Sequence, residues 1–192
     1  MEKYNTEENE EYLLKTNLLG IKDLKQLEEA EAFSFSIRAL QVEQGSYIIN
    51  DFTLNDFLNL HKHLFQDIYT FAGQFRNVQL IKGHTRFCQF QHLPSNATDL
   101  FKQLIAETSW NSLEEAAKRL AFYKSELNML HPFREGNGRT IRIFLRAFAL
   151  SKNIIWSYDH IDREQYLKAM IHSVTDNTLL EELFLKTILF AK

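Results

Sequence analysis

The chain has 192 residues, of which 45% are hydrophobic and 24% are charged, a balance that fits one globular domain with a sizeable core. A formal net charge of -3 gives no reason to expect binding to nucleic acid or to an anionic membrane surface. No apolar run approaches a membrane span, and the start, MEKYNTEENEEY, is unlike a signal peptide. The one cysteine, Cys88, excludes an internal disulfide bond. We expect a cytosolic protein, at least where it is made.

The first third of the chain predicts two helices after a polar start. Residues 1–20 begin with a dense group of glutamates and are expected to be flexible. Apolar residues recur at helical spacing between about 23 and 43, before a possible helix end at Gly45. The stretch TLNDFLNLHKHLFQDIY, residues 53–69, predicts a second helix.

Residues 74–90, QFRNVQLIKGHTRFCQF, carry the one convincing hairpin signal. Apolar and polar residues alternate at Val78 and Leu80, and again from Arg86 to Phe90. The segment from Lys82 to Thr85 is predicted to form the turn between the two strands.

Helical patterns return after Pro94 and continue to the end. Ser112 and Glu115 have the spacing of a capping box and open a helix that should end at His131, before Pro132. A new helix is expected from residue 137 or 138 to about 151, another after Asp162, and a buried apolar segment at 179–191. The predicted fold is a single all-α domain, residues 1–192, with one inserted β-hairpin.

The stretch HPFREGNGRTIR, residues 131–142, has the composition of an anion site at the start of a helix. A glycine-rich turn directs backbone N–H groups outward, and the helix dipole adds positive potential, which together favour phosphate. Arg139 and Arg142 are three residues apart and are predicted to share one helix face, with Arg146 continuing it. Their side chains would give a phosphate two permanently charged partners.

The same stretch contains one acid and one base. Glu135 is a candidate Mg²⁺ ligand, because one or two carboxylates and phosphate oxygens commonly make up the Mg²⁺ shell. His131 is the residue of the stretch that can accept a proton near neutral pH. Together these groups suit the transfer of a phosphate-containing group to a hydroxyl.

Each of these residues also has an ordinary structural interpretation when taken alone. A histidine beside a proline usually caps or packs a helix end, and Gly-Asn-Gly is usually just a turn. For His61 and His63 we favour packing over metal binding, because residues two apart on a helix face different directions. The hypothesis therefore depends on the combination, in which each group has a distinct role.

HPFREGNGRTIR matches every fixed position of the Fic family motif, H-P-F-x-[D/E]-G-N-G-R-x-x-R. Upstream, LHKHLFQDIYTFAGQFR resembles the family's segment before its hairpin flap, and IKGHTRF resembles the flap. The resemblance extends over roughly residues 25–175 and is strongest at the motif.

The resemblance implies a reaction and a role for each matching residue. Fic enzymes usually transfer AMP from ATP, with Mg²⁺, to a Ser, Thr or Tyr hydroxyl of a target protein. By resemblance, His131 is the general base, Phe133 anchors the loop, and Glu135 is the Mg²⁺ ligand. Phosphate would be bound by Gly136, Asn137, Gly138, Arg139 and Arg142, and the target backbone by the flap around Leu80, Ile81, Lys82, Gly83 and Phe87.

Three alternatives stay open beside AMP transfer. The Doc branch of the family transfers phosphate and carries lysine at the position of Gly138, so glycine here favours AMP transfer. A catalytically silent nucleotide-binding module is also possible, although it would have no need for His131. The third is that the chain is part of an effector whose delivery domain is absent. The resemblance thus implies a bacterial, cytoplasmic protein, with secretion as an effector not excluded.

Control of the enzyme is predicted from a missing motif. Many Fic chains carry a helix with [S/T]-x-x-x-E-[G/N], whose glutamate pairs with the second motif arginine, here Arg142. This sequence does not contain that pattern. We therefore expect a small antitoxin protein whose glutamate reaches Arg142 from a helix beside residues 25–43. The sequence makes no prediction of the oligomeric state or of the target.

Overall fold

The computed structural model describes residues 6–83, 85–158 and 161–191, and this part of the chain is mainly helical. The helices are α1 Thr6–Thr16, α2 Leu24–Glu43, α3 Leu54–Phe65, α4 Leu93–Ile105, α5 Leu113–Leu130, α6 Asn137–Ser151, α7 Arg163–His172 and α8 Thr178–Leu185. Four short strands accompany them: β1 Ile81–Lys82, β2 Thr85–Arg86, β3 Ile154–Trp156 and β4 Ile188–Phe190. The predicted all-α fold with an inserted hairpin is confirmed.

Helices α5 and α6 form the centre of the fold, and the loop between them contains residues 131–136. Helix α5 packs on α4, α6 and α8, while α6 also packs on α3 and β3. The apolar side of α6 is fully buried in this core: Ile141, Phe144, Leu145 and Phe148. Aromatic rings from α3 and α4 meet Phe144 edge-on in the middle of α6, so the position of this helix is fixed by its packing.

Side-chain caps begin several helices where the sequence predicts them. Ser112 accepts a hydrogen bond from the Glu115 N–H at the start of α5, and Asp162 accepts one from the Gln165 N–H at the start of α7. The Glu115 carboxylate contacts the Asn111 N–H, so the predicted capping box is only half formed.

The hairpin ladder is shorter than the predicted range of 74–90. Strands β1 and β2 are antiparallel and pair Ile81 with Arg86 and Lys82 with Thr85. Leu80 and Phe87 follow on the protein side and are buried. His84, in the predicted turn, lies outside the described residues.

Two regions differ from the sequence expectation. Residues 6–16 of the expected flexible start form α1, because Leu13 is buried in the core and Asn17 bonds to backbone atoms of the following turn. Helix α3 ends at Phe65 rather than near Tyr69, since the Ile68 carbonyl accepts the Leu18 N–H and Tyr69 bridges to Asn17.

The end of the chain also differs from the expected apolar segment. It is divided into α8 and β4, and β4 pairs antiparallel with β3 in the register Ile154 to Phe190. Leu180 and Phe184 are buried, whereas Leu189 and Phe190 are about half exposed. Among the described helices, none combines the length and apolarity needed to span a membrane.

Candidate active site

The loop between α5 and α6 is defined by two residues with positive φ. His131 ends α5 at φ 46°, a conformation that is uncommon for a residue other than glycine. Gly136 precedes α6 at φ 78°, and a Cβ atom there would lie 2.4 Å from the ring of Phe65. Gly136 is therefore required by both its backbone conformation and the close approach of α3.

Asn137 fixes the shape of this loop with its side chain. Its Oδ1 accepts the Phe133 N–H at 2.8 Å, and its Nδ2 donates to the Phe133 carbonyl at 2.7 Å. Phe133 is fully buried, in agreement with its expected anchoring role. The Asn137 side chain thus maintains the loop, and both of its polar atoms bond to the backbone of Phe133.

His61 supports the loop from α3. Its ring stacks on Phe133 at 3.7 Å between centroids. Because Nδ1 accepts the Gly73 N–H at 2.8 Å, Nε2 carries the proton and donates to the Glu135 carbonyl at 3.0 Å. Burial is the main cause that lowers the pKa of His61 to about 3, so the ring is neutral. The packing interpretation is correct, and the hydrogen bonds add a positioning role.

The contacts of His131 determine which of its ring nitrogens carries the proton. It is 4% exposed and stacks on Phe87 of the flap at 3.9 Å between centroids. Nδ1 lies 3.1 Å from the Asn128 carbonyl, which can only accept, so Nδ1 carries the proton of the neutral ring and Nε2 carries the lone pair. Burial, followed by the positive charges of Arg76, Lys82 and Lys124, lowers the pKa of His131 to about 3.

Arg76 connects the flap to His131, a role that the sequence interpretation missed. The side chain is 3% exposed. Its Nε donates to the His131 carbonyl at 2.7 Å, and its terminal nitrogens donate to the carbonyls of Val78 and Cys88 on the two arms of the flap. One guanidinium therefore fixes the end of α5 relative to the hairpin. The sequence signal was an arginine inside the predicted hairpin segment, two residues before the alternation begins at Val78.

Arg139 is held by the side of the domain that contains α2 and α3. It forms an ion pair with Glu31 of α2, whose side chain is 11% exposed, and a longer one of 3.5 Å with Glu135. Its guanidinium lies 5.0 Å and 4.9 Å from the ring centroids of Phe35 and Phe65. The buried glutamate on α2 was not identified from the sequence.

Arg142 has different neighbours from Arg139, although the sequence predicted that the two arginines share one face of α6. It is exposed, and its Cζ lies 5.9 Å from the Tyr158 ring, beyond β3. Among the described residues no carboxylate lies within ion-pair distance of Arg142. Arg146, one turn later, pairs with Glu43 at 3.2 Å on the exposed surface.

The first turn of α6 is open at Gly138. This glycine is exposed, and a Cβ atom there would meet nothing within 4 Å. Oε1 of the half-buried Glu135 accepts the Gly136 N–H at 2.9 Å, which places a carboxylate at the edge of the turn. In the described part of the chain, no three His, Cys, Asp or Glu residues are grouped as a ready-made metal site. A cation here would need oxygen ligands from a bound phosphate beside Glu135.

The flap covers this turn from the side of His131. Phe87 and Leu80 face inward, so their side chains are unavailable to a target, whereas Ile81 is 37% exposed. Lys82 is close enough to influence His131 electrostatically. Among the described flap residues from Leu80 to Phe87, Ile81, Gly83 and Arg86 are exposed.

Comparison with known proteins gives a consistent family match. The model of the Fic/DOC family matches residues 51–149. The protein adenylyltransferase VbhT of Bartonella schoenbuchensis is 37% identical over 164 residues, which are 84% of this chain and 34% of that protein. The probable protein adenylyltransferase Fic of Escherichia coli is 33% identical over 175 residues, or 90% of this chain and 86% of that protein. The chain thus spans about a third of the first relative and most of the second.

Solved structures support the same fold. The BepC protein of Bartonella tribocorum, with bound AMPPNP, superposes with a TM-score of 0.80 at 20% identity and covers 92% of each chain. A Fic domain of Bartonella quintana, with bound ADP, gives a TM-score of 0.82 at 21% identity, covering 92% of this chain and 91% of that one.

Proposed function

The chain belongs to the Fic/DOC family, and we propose that it is a protein adenylyltransferase that transfers AMP from ATP to a Ser, Thr or Tyr hydroxyl of a target protein. The observation that carries this proposal is the state of His131. It is buried and neutral, with the lone pair assigned to Nε2 by the bond from Nδ1 to Asn128, and it lies six residues before the open N-terminus of α6. The names of the relatives at 33% and 37% identity support the same activity.

In the proposed reaction the hydroxyl oxygen of the target attacks the α-phosphorus of ATP. Nε2 of His131 accepts the hydroxyl proton. The bond between the α-phosphorus and the oxygen bridging to the β-phosphate breaks, and pyrophosphate leaves with that electron pair. The product is the target with AMP in a phosphodiester bond. The low pKa of His131 keeps the base unprotonated before the reaction.

The start of α6 would bind the phosphates. Backbone N–H groups at Gly136, Asn137 and Gly138, together with the helix dipole, attract the negative charge that develops during transfer. The open space at Gly138 allows the nucleotide to approach the backbone. Arg139 and Arg142 would contact the phosphates from two sides, since their neighbours belong to different elements.

Glu135 would hold Mg²⁺ together with phosphate oxygens. Its carboxylate lies at the edge of the turn, and a single carboxylate suits a cation that keeps several water and phosphate ligands. When bound, Mg²⁺ would neutralise phosphate charge. The positions of Glu135 and its carbonyl depend on His61, which donates to that carbonyl.

The flap would bind the target as an added strand. This mode uses backbone hydrogen bonds and demands little of the target sequence. The exposure of Ile81 and Gly83 supports contact at the tip, and the buried Leu80 and Phe87 would fix the flap over His131.

The alternative of phosphate transfer is tested in the same assay as AMP transfer. Purified protein and a bacterial lysate are incubated with ATP labelled at the α-phosphate or, in parallel, at the γ-phosphate. We expect label on protein only from the α-position. Label from the γ-position alone would establish the phosphotransferase instead. His131→Ala should reduce labelling by about 10²–10⁴-fold without unfolding the protein; equal labelling by a folded variant contradicts the role of His131.

We also propose that the enzyme is the cytoplasmic toxin of a toxin–antitoxin pair. Helix α2 presents exposed apolar side chains one helix turn apart, Phe33, Ile37 and Leu40, which suit a partner helix. Arg142 is exposed and could accept a partner's glutamate. Expression of the chain alone should slow bacterial growth, and expression of His131→Ala should not. Unimpaired growth with soluble, active wild-type protein in its native host would contradict the toxin role.

A further inference from the structure

A buried lysine lies two helix turns before His131. Lys124 is on α5, seven residues before His131, so both residues lie on about the same side of the helix. Its side chain belongs to a residue that is only 3% exposed. No part of the motif in residues 131–142 includes it.

Lys124 has no counter-ion or hydrogen-bond acceptor among the residues that the structure describes. The ring of Tyr166 on α7 lies 5.9 Å from its Nζ. Arg142 of α6 and the ring of His131 are within electrostatic range of it. A buried ammonium beside a guanidinium is unfavourable unless an anion compensates both charges.

A second polar group in the same region also lacks a partner. The hydroxyl of Tyr158 is buried and makes no hydrogen bond to any described residue, and its ring lies beside Arg142. Lys124 of α5 and Tyr158 after β3 are therefore both neighbours of Arg142, and the polar atom of each has no hydrogen-bond partner among the described residues.

On the basis of the proposed nucleotide reaction, we propose that Lys124 is a third phosphate-binding cation, which contacts the distal phosphates of the triphosphate beside Arg142. Arg142 lies one helix turn beyond Gly138, so a phosphate that reaches both cations is remote from the α-phosphate at the N-terminus of α6. Lys124 thereby distinguishes a triphosphate from AMP.

The charge of Lys124 depends on this contact. Burial, and then the charge of Arg142, lowers the pKa of Lys124 to about 7. The groups around Lys124 keep their protonation states near neutral pH. Arg142 stays charged, and His131, with a pKa of about 3, stays neutral. Burial raises the pKa of Tyr166 to about 12 and that of Tyr158 well above its usual range, so both hydroxyls stay protonated. A bound polyphosphate would raise the pKa of Lys124 again, so binding takes up a proton at pH values above about 7.

Calorimetry of the full chain tests this inference without any transfer reaction. The titrant is α,β-methylene-ATP with Mg²⁺, because its carbon bridge prevents AMP transfer, and AMP is titrated in parallel. Lys124→Met should weaken triphosphate binding by about 10-fold and AMP binding by less than about 2-fold. Titrations in two buffers of different ionisation enthalpy at about pH 7.5 should show proton uptake for the wild type and less for the variant. Lys118→Met, an exposed lysine on the same helix, should equal the wild type.

The outcomes separate this inference from the proposed function. If the wild type binds the triphosphate, and folded Lys124→Met and Lys124→Gln bind it as tightly with the same proton uptake, Lys124 does not contact phosphate and only this inference is overturned. If the variants lose triphosphate and AMP affinity equally, the distal assignment is overturned. If the wild type binds no nucleotide, both proposals are overturned.

Discussion

Arg139 and Arg142 begin the same helix and have opposite surroundings. Arg139 is paired with the buried Glu31, and its guanidinium lies within 5.0 Å of the centroids of two phenylalanine rings. No described carboxylate lies within ion-pair distance of Arg142, which is near the buried Lys124. The side of the loop next to α2 and α3 is therefore complete before any ligand binds. The side next to α5 and α7 has an excess of positive charge that suits a polyphosphate.

Alanine substitutions of Arg139 and Arg142 should show the difference between the two sides of the loop most clearly. Arg142→Ala should reduce AMP transfer by about 10²–10³-fold and change the free energy of unfolding by less than about 0.5 kcal/mol, because an exposed cation is lost. Arg139→Ala should reduce transfer and also destabilise the fold by about 2 kcal/mol, because Glu31 is left partly buried without its partner. Initial rates and urea unfolding measure the two effects.

A double substitution serves as the control for that comparison. Glu31→Gln combined with Arg139→Ala should recover part of the lost stability, since the buried charge is removed with its partner. Equal stability of the two single arginine variants would contradict the distinction between a paired and an unpaired side.

Gly136 and Gly138 allow a similar comparison, because one is tightly packed and the other is open. Gly136→Ala should destabilise the protein by about 3 kcal/mol, because the new methyl group meets the buried Phe65 at a positive φ. Gly138→Ala should leave stability unchanged, since the added Cβ lies in open space, and should reduce transfer because the nucleotide loses room at the backbone. Thermal unfolding and ATP affinity of both variants check this, and a folded, fully active Gly136→Ala would contradict it.

The side of the loop next to α2 and α3, where Arg139 pairs with Glu31, shows what the sequence could and could not predict. Fold class, the ends of α2 and α6, and the loop followed from helical spacing and a dense motif. Arg76, His61 and Glu31 did not, because their roles depend on contacts with residues 55, 74 and 108 positions away in the sequence. The pairing of β3 with β4 has the same cause: neither three-residue strand carries a local signal, and the partners are distant.

On the side of the loop next to α5 and α7, Lys124 should lower the free energy of unfolding of the protein without nucleotide. Its pKa is about 7 in the folded state and about 10.5 when unfolded, so the unfolded chain binds more protons between these values. The penalty is therefore complete below pH 7 and fades as the pH rises towards 10.5. Lys124→Met should raise the free energy of unfolding by roughly 2 kcal/mol at neutral pH.

The gain in stability should decline at high pH, and Lys118→Met, which removes an exposed lysine, should show neither the gain nor its pH dependence. A loss of stability in Lys124→Met at every pH would mean that Lys124 is compensated in the free protein, and the contrast between the two sides of the loop would disappear.

The smallest expected effect concerns the pH dependence of the transfer rate, to which His131 should contribute nothing near neutral pH. Since the pKa of this group is lowered to about 3, the neutral base is fully present above that value, and its contribution to the rate falls only when the pH approaches it. The turnover number at saturating ATP should therefore show no inflection near the ordinary histidine pKa of about 6.5. Single-turnover rates between about pH 5.5 and 8 measure this, with target and ATP both saturating so that Lys124 does not contribute. A rate that falls about tenfold per pH unit below 6.5 would show that His131 is protonated there, and that burial under Phe87 does not keep the base neutral.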